Sequence, residues 1–195
     1  MTPGSSKKKK RQPWTIPFIE SILEELNPDD PIDAAIAACL TTTFYSGACL
    51  GEFTVPKLND FHPDKYITQA HMSAGKDRNG FEVTIFHIPR TKSAPEAGED
   101  VYWAIQNGPT DPNSHLENHF QVNNPTSRSH LFTYQVCDHG QVTWKPLMKR
   151  VFLQRLADAA KAKGLEPLQG HGIHIGATLE YLLQGVPFDM VKSTF

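Results

Sequence analysis

Two stretches ahead of residue 50 carry apolar positions at helical spacing. In the first, Ile16, Ile19, Ile22, Leu23 and Leu26 form a stripe that Asn27-Pro28 closes. The second opens on Asp30 as N-cap, with Pro31 at the first helical position and Asp33 in the first turn. Ile32, Ala35, Ile36, Cys39, Leu40 and Phe44 make its apolar side, and Gly47 ends it. The period then shortens. Residues 66–74, 81–88 and 100–105 are β-branched or aromatic and are separated by the turn-rich "GKDRNG" and "PEAGE". They predict a three-stranded antiparallel meander, with Arg90, Thr91 and Lys92 where the second strand hands over to the third.

Residues 107–129 are rich in Asn, Pro, Ser and His and predict a long loop with a helical stretch around "SHLENHF". Helix returns over 145–164, with Pro146 in its first turn, Leu147, Val151, Leu156, Ala159 and Ala160 on the buried side, and Gly164 at its close. A last helix is expected over 172–183, ahead of "PFDMVKS". No internal repeat is present. The order helix, helix, three strands, helix, helix defines an α+β fold: a mainly helical body with a small three-stranded antiparallel sheet.

With 195 residues, 39% hydrophobic and 21% charged, the chain has the size and composition of one globular domain. A formal net charge of −2 gives no global attraction to nucleic acid, so any such role must rest on local patches. One is "KKKKR", residues 7–11, which reads either as a nuclear localisation signal or phosphate-touching arm, or as a solvated tail. The expected organisation is therefore a basic disordered arm over 1–14 and a folded domain over 15–195. Lys145, Lys149, Arg150, Arg155, Lys161 and Lys163, offset only by Asp158, make a second patch on an ordered element; the bland alternative is a solvated helix face. Cys39, Cys49 and Cys137 lack CxxC spacing and cannot all pair, which favours reduced thiols. No apolar run reaches the roughly 18 residues of a membrane span, and no apolar segment follows the N-terminal lysines as in a secretory signal.

Among candidate chemistries, "HGIH" places His171 and His174 three apart, able to share a helix face. A zinc site needs three or four ligands; Cys137 or His139 of "CDHG" could add one, yet no spacing demands it and no Glu sits between the histidines. No metal or other cofactor is expected. Neither GxSxG nor GxxxxGK[ST] occurs. The five tyrosines read as structural, Tyr181 inside the stripe of the last helix.

Three separated stretches act together in a further reading. "SGACLGEFTV" (46–55), "IPRTKSA" (88–94) and "GHGIHIGATLEYLLQGVPF" (170–188), with "LENHFQVNN" and "HLFTY" between them, resemble the catalytic domain of the tyrosine recombinases. These are phage-integrase-like enzymes that break and rejoin DNA, and the likeness is to versions from fungal mobile elements. The resemblance implies attack of a tyrosine on a DNA phosphodiester, leaving a 3′-phosphotyrosyl link. Two arginines grip the phosphate, because a fork of fixed donors stabilises the transition-state charge. A hairpin lysine and the histidine of an HxxR motif assist proton transfer.

Carried over by position, Lys92 falls where the hairpin lysine belongs, His171 where the HxxR histidine belongs, and Glu52 where an acidic residue follows the first arginine. Both arginines are replaced: G-x-R-x-x-E reads Gly47-Ala48-Cys49-Leu50-Gly51-Glu52, and His174 holds the second arginine's place. A single C-to-T change on one strand or the other of a CG-initial arginine codon yields Cys or His, as expected for a drifting mobile-element gene. The family's tyrosine segment lies beyond the last helix, so truncation before it is expected, although some relatives receive this tyrosine from another subunit.

The resemblance thus implies a catalytically inactive remnant that binds the backbone phosphates of double-stranded DNA through Lys92, Lys145, Lys149, Arg150, Arg155 and the arm, and works in the nucleus. The alternatives are a working recombinase with a cationic His174, or a non-DNA role in metal binding or protein interaction. Missing terminal helices would leave an apolar face near Leu182, Leu183 and Phe188 open to self-association.

Overall fold

A computed structural model describes residues 12–77 and 79–186. The first helix, α1 (Ile16–Leu23), starts where Thr15 Oγ1 accepts the Phe18 N–H. The second, α2 (Pro31–Ser46), starts where Asp30 Oδ1 accepts the N–H groups of Ile32 and Asp33, and stops at Gly47, whose φ of 65° is left-handed. The single stripe expected for α2 understates its position: every residue from Asp33 to Ser46 is buried. This is the central helix. Its polar side chains suit that place because Thr41 Oγ1 donates to the Ala37 carbonyl at 2.9 Å and Ser46 Oγ to the Thr42 carbonyl at 2.7 Å.

The meander forms as β1 (Met72–Lys76), β2 (Glu82–Ile88) and β3 (Glu99–Ala104), antiparallel in that order, with Met72 opposite Phe86 and Phe86 opposite Val101. Phe86, Ile88, Val101 and Trp103 share its inner face and join the core around α2. The expected first strand, 66–74, is shifted. Thr68 bridges His130, the Ile67 carbonyl accepts the Leu131 N–H, and a short 3-10 turn occupies Gln69–His71. Strand β1 instead runs through Gly75 and Lys76, and the reversal is made by Asp77, whose Oδ1 accepts the N–H groups of Asn79 and Phe81.

Two further expectations are corrected downstream. The long loop contains a full helix, α3 (Pro112–Asn123), capped by Asp111 and closed by left-handed Asn124. Residues 133–146 form an unexpected hairpin, β4 (Thr133–Asp138) and β5 (Gln141–Pro146). Its tip, His139 and Gly140, has φ of 47° and 79°, the two positive values of a type I′ turn. Lys145 and Pro146 therefore belong to a strand, and α4 runs only over Lys149–Ala162. Leu147–Lys149 is held in place by backbone bonds to Val55, which delay the helix. The last helix, α5 (His171–Leu183), falls where periodicity put it.

The core unites α1, α2, α4 and α5 with the inner sheet face; Phe53 stacks edge-on against both Phe86 and Phe132. The arm expected over 1–14 overruns. Trp14 is only 2% exposed, donating its backbone N–H to Gly172 and its indole N–H to Gln169 on the approach to α5. A Cβ on Gly176 would lie 2.0 Å from the Trp14 carbonyl oxygen, so only glycine admits this crossing. Lys7–Arg11 lie outside the described residues. Within those described, no helix is long and apolar enough to cross a membrane.

Candidate phosphate-binding site

The site begins at the C-terminal end of α2. Gly47 turns the chain into Cys49 and a 3-10 turn, Leu50–Glu52, which closes on itself as Glu52 Oε2 accepts the Cys49 N–H at 2.8 Å. Leu50 and Phe53 are buried beneath it, and the Thr54 hydroxyl donates to the Leu50 carbonyl at 2.7 Å, while Cys49 stays exposed. Helix α5 arrives against this turn: a Cβ on Gly170 would stand 2.9 Å from Leu50 and from Leu153. That close seat brings His174 to Gly47, where its Nδ1–H donates to the carbonyl at 2.8 Å and satisfies one of the orphan acceptors ending α2. His171 opens α5 at the surface, its ring stacked near that of His174 with centroids 6.1 Å apart.

Lys92 comes from the link between β2 and β3. Thr91 is buried, and its hydroxyl accepts the Ala94 N–H at 3.0 Å, which fixes the turn and leaves Lys92 exposed. Although the residue is exposed, partial desolvation of its thiol, reinforced by the Glu52 charge, raises Cys49; Lys92 and Lys149 oppose that shift. Burial likewise raises the Glu52 carboxyl, countered by the Cys49 N–H, pushed further by Glu99, then countered by His174 and Lys92. Cys49 thus lies within electrostatic reach of Glu52, Lys92 and Lys149, and Glu52 within that of Lys92 and His174. The arrangement keeps Cys49 as a neutral thiol, which suits neither a nucleophile nor a charge clamp.

Lys149 and Arg150 sit exposed in the first turn of α4, where the helix dipole disfavours cations and Met148 supplies no capping side chain. An anion there would meet two cations and the positive helix end together. Lys145 is half-buried on β5, opposite Tyr134. Arg155 is elsewhere. Its Nε and Nη2 grip both Asp33 oxygens at 2.8 Å, and Nη2 also donates to the Glu25 carbonyl at 2.7 Å. Lys163 pairs with Glu24 and Glu25, and Lys161 lies 3.9 Å from Asp158, so half of the expected basic face is engaged in ion pairs. The sequence held the signal for Arg155: with Phe152, Leu156 and Ala159 it falls on an i, i+3, i+4, i+7 stripe, the buried one.

Cys137 and His139 lie at the tip of the β4–β5 hairpin, and the described residues contain no group of three or more side chains able to hold a metal ion. The Tyr181 hydroxyl donates to the Tyr45 carbonyl and is pushed far up by burial; the Tyr45 hydroxyl lies 2.6 Å from Thr110 Oγ1. Neither is a poised nucleophile. At the end of α5, Leu183 is 74% exposed and Leu182 half-buried, whereas Phe188 lies outside the described residues.

The fold is similar to that of the Flp recombinase catalytic domain. Flp recombinase in complex with a Holliday junction matches with a TM-score of 0.55 at 12% identity, over 91% of this chain and 42% of that one. A Flpe–Holliday junction complex matches at 0.57 and 12%, and a point mutant of Flpe on a DNA Holliday junction at 0.57 and 11%, each over 90% of this chain and 42% of the other. The chain thus spans about two-fifths of the length of these neighbours. No protein-family model and no curated protein matches it. At such identity the likeness establishes fold alone.

Proposed function

We propose that this chain binds double-stranded DNA through its backbone phosphates and does not cleave it. Lys92, Lys149 and Arg150 make the contacts, Lys145 flanks them, and Arg155 is withdrawn from the set because Asp33 already holds it. One observation carries the reading. Helix α5 packs on the Cys49 turn through Gly170 and His174, and Lys92 and Lys149, from two further elements, both bring positive charge within electrostatic reach of Cys49. The fold likeness to recombinases solved on DNA supports the same partner. Two side chains support the inactivity. Cys49 carries no charge to grip a phosphate, and the His174 Nδ1–H is spent on Gly47. Each missing transition-state clamp costs on the order of 100- to 1,000-fold.

Anisotropy of a labelled duplex across a salt series tests the binding. Three phosphate contacts give a slope of log K against log salt of about −2.7. A flat salt response, or no binding at low salt, refutes it. A detergent-resistant protein–DNA adduct on a nicked substrate would refute the inactivity. On the same reading the chain is a mobile-element remnant directed to the nucleus by residues 7–11. A fluorescent fusion that stays nuclear without those residues would overturn that role for them.

A further inference from the structure

The β4–β5 hairpin carries a feature that phosphate binding does not use. In the register of the two strands, Cys137, Val142, Gln135 and Trp144 share one face. Of the chain's three tryptophans, Trp14 and Trp103 are 2% and 1% exposed, but Trp144 is 54% exposed. The exposed indole is held. Its Nε1–H donates to the Asn123 carbonyl at 3.4 Å, and the backbone N–H of Gln135 beside it donates to Asn123 Oδ1 at 2.9 Å. Asn123 is fully buried, its amide nitrogen bonded to the Pro31 carbonyl at 2.8 Å, so the anchor belongs to the core. One edge of the ring is thus tied while much of its surface stays open to solvent.

Charge identifies what such a surface suits. Between residues 133 and 150 the cations are Lys145, Lys149 and Arg150, and Asp138 at the tip is the one acid. Lys149 follows Trp144 by five residues, at most about 17 Å of chain. A fixed aromatic face with cations close to it along the chain is the composition of a base-stacking platform. Paired bases keep their faces covered by their neighbours, so a stacking indole requires an unpaired one.

We propose that the β4–β5 hairpin is a second DNA contact, at which Trp144 stacks on an unpaired base of gapped or branched DNA while Lys149 and Arg150 hold neighbouring phosphates. This rests on the DNA-binding reading and names the form of DNA it prefers. Because the other two tryptophans are buried, solvent-quenchable emission reports Trp144. The test titrates the full chain with an intact duplex and with the same duplex carrying a short single-stranded gap, following anisotropy and tryptophan emission together.

Stacking predicts that the gapped duplex quenches the emission and the intact duplex does not. Trp144→Ala then weakens gapped binding about five-fold or more and leaves duplex binding unchanged, whereas Trp144→Phe keeps most of the affinity. Emission from buried Trp14 and Trp103 verifies that both variants fold. Gapped DNA that binds without quenching, or equal affinities for wild type and Trp144→Ala, overturns the stacking and leaves DNA binding standing. If neither duplex binds, the DNA reading itself fails. An emission change that follows protein concentration without DNA would make this face a protein-association surface and overturn the proposal.

Discussion

Replacing Gly176 with alanine should reverse the usual effect of that exchange. In an exposed helix interior Gly→Ala stabilises by about 1 kcal/mol. Here the new Cβ would stand 2.0 Å from the Trp14 carbonyl oxygen, a backbone atom that cannot turn aside. The segment 12–14 must therefore leave α5. Its docking free energy limits the loss, because an end segment can detach without opening the rest of the core. Burying the Trp14 indole is worth roughly 4–6 kcal/mol at 25 cal/mol per Å2 over 150–250 Å2. Allowing for a compact unfolded chain lowers this to about 3–5 kcal/mol. The bonds to Gly172 and Gln169 add about 1 kcal/mol each. Ordering three residues returns roughly 3–4 kcal/mol. Docking is then worth about 2–3 kcal/mol.

After the alanine gain, Gly176→Ala should destabilise by about 1–2 kcal/mol. In a chain of this length that lowers Tm by about 2–8 °C. Thermal unfolding measures the loss, and a red shift of tryptophan emission shows Trp14 entering water. Pairing the change with Trp14→Ala isolates the cause. With the indole already gone there is less docking to lose, so most of the penalty of Gly176→Ala should vanish in the double variant. A Gly176→Ala protein with higher Tm and unshifted emission would refute the packing of residues 12–14 on α5.

Arg155→Ala should cost about 2–3 kcal/mol by urea denaturation, because Asp33, 7% exposed at its side chain, loses its guanidinium while the arginine itself was 30% exposed. It should leave the salt slope of DNA binding unchanged, and a slope lowered by about one would restore Arg155 to the contact set. Lys92→Ala and Lys149→Ala should each lower that slope by about 0.9 with no measurable change in Tm, the reverse of the Arg155 pattern. Stability should also fall on acidification. Burial depresses His119 to about 4 and His130 to about 3, so both remain neutral in the folded chain while the unfolded chain takes up protons below about 6.5. Their contribution is complete above that value and is lost between about pH 6.5 and pH 3, at up to about 1.4 kcal/mol per histidine per unit. Denaturation midpoints that stay level from pH 7 to pH 4 would contradict their burial as neutral groups.

What the sequence made legible follows the chemistry of each boundary. Asp30, Pro31 and Gly47 each do something only a helix end requires, and the limits of α2 were readable from them. The β4–β5 hairpin was not. Its His139-Gly140 turn is not one of the usual Asn-Gly or Asp-Gly pairs, and Pro146 looks like a helix start although it ends a strand. Strand β1 was misplaced because Gly75 and Lys76 read as turn residues, whereas the Asp77 side chain makes the reversal one step later. Periodicity gave α2 one apolar stripe, since a helix sheathed on all sides by other elements shows that only once those elements are placed.

The candidate site divides in the same way. Lys92, Cys49 and His174 lie far apart along the chain, and neither spacing nor composition links them; a family likeness did so first, and packing of α5 on the Cys49 turn gives the physical link. The turn closes as a capping box, with Glu52 Oε2 accepting the Cys49 N–H and the Cys49 side chain facing the Glu52 N–H. His174 meets a helix-end carbonyl with a single N–H, a bond that fits inside the smaller reach of an imidazole. At both positions the scaffold is complete without an arginine. The hydrogen bonds that hold the Cys49 turn and seat α5 on Gly47 are therefore made without a guanidinium at either position.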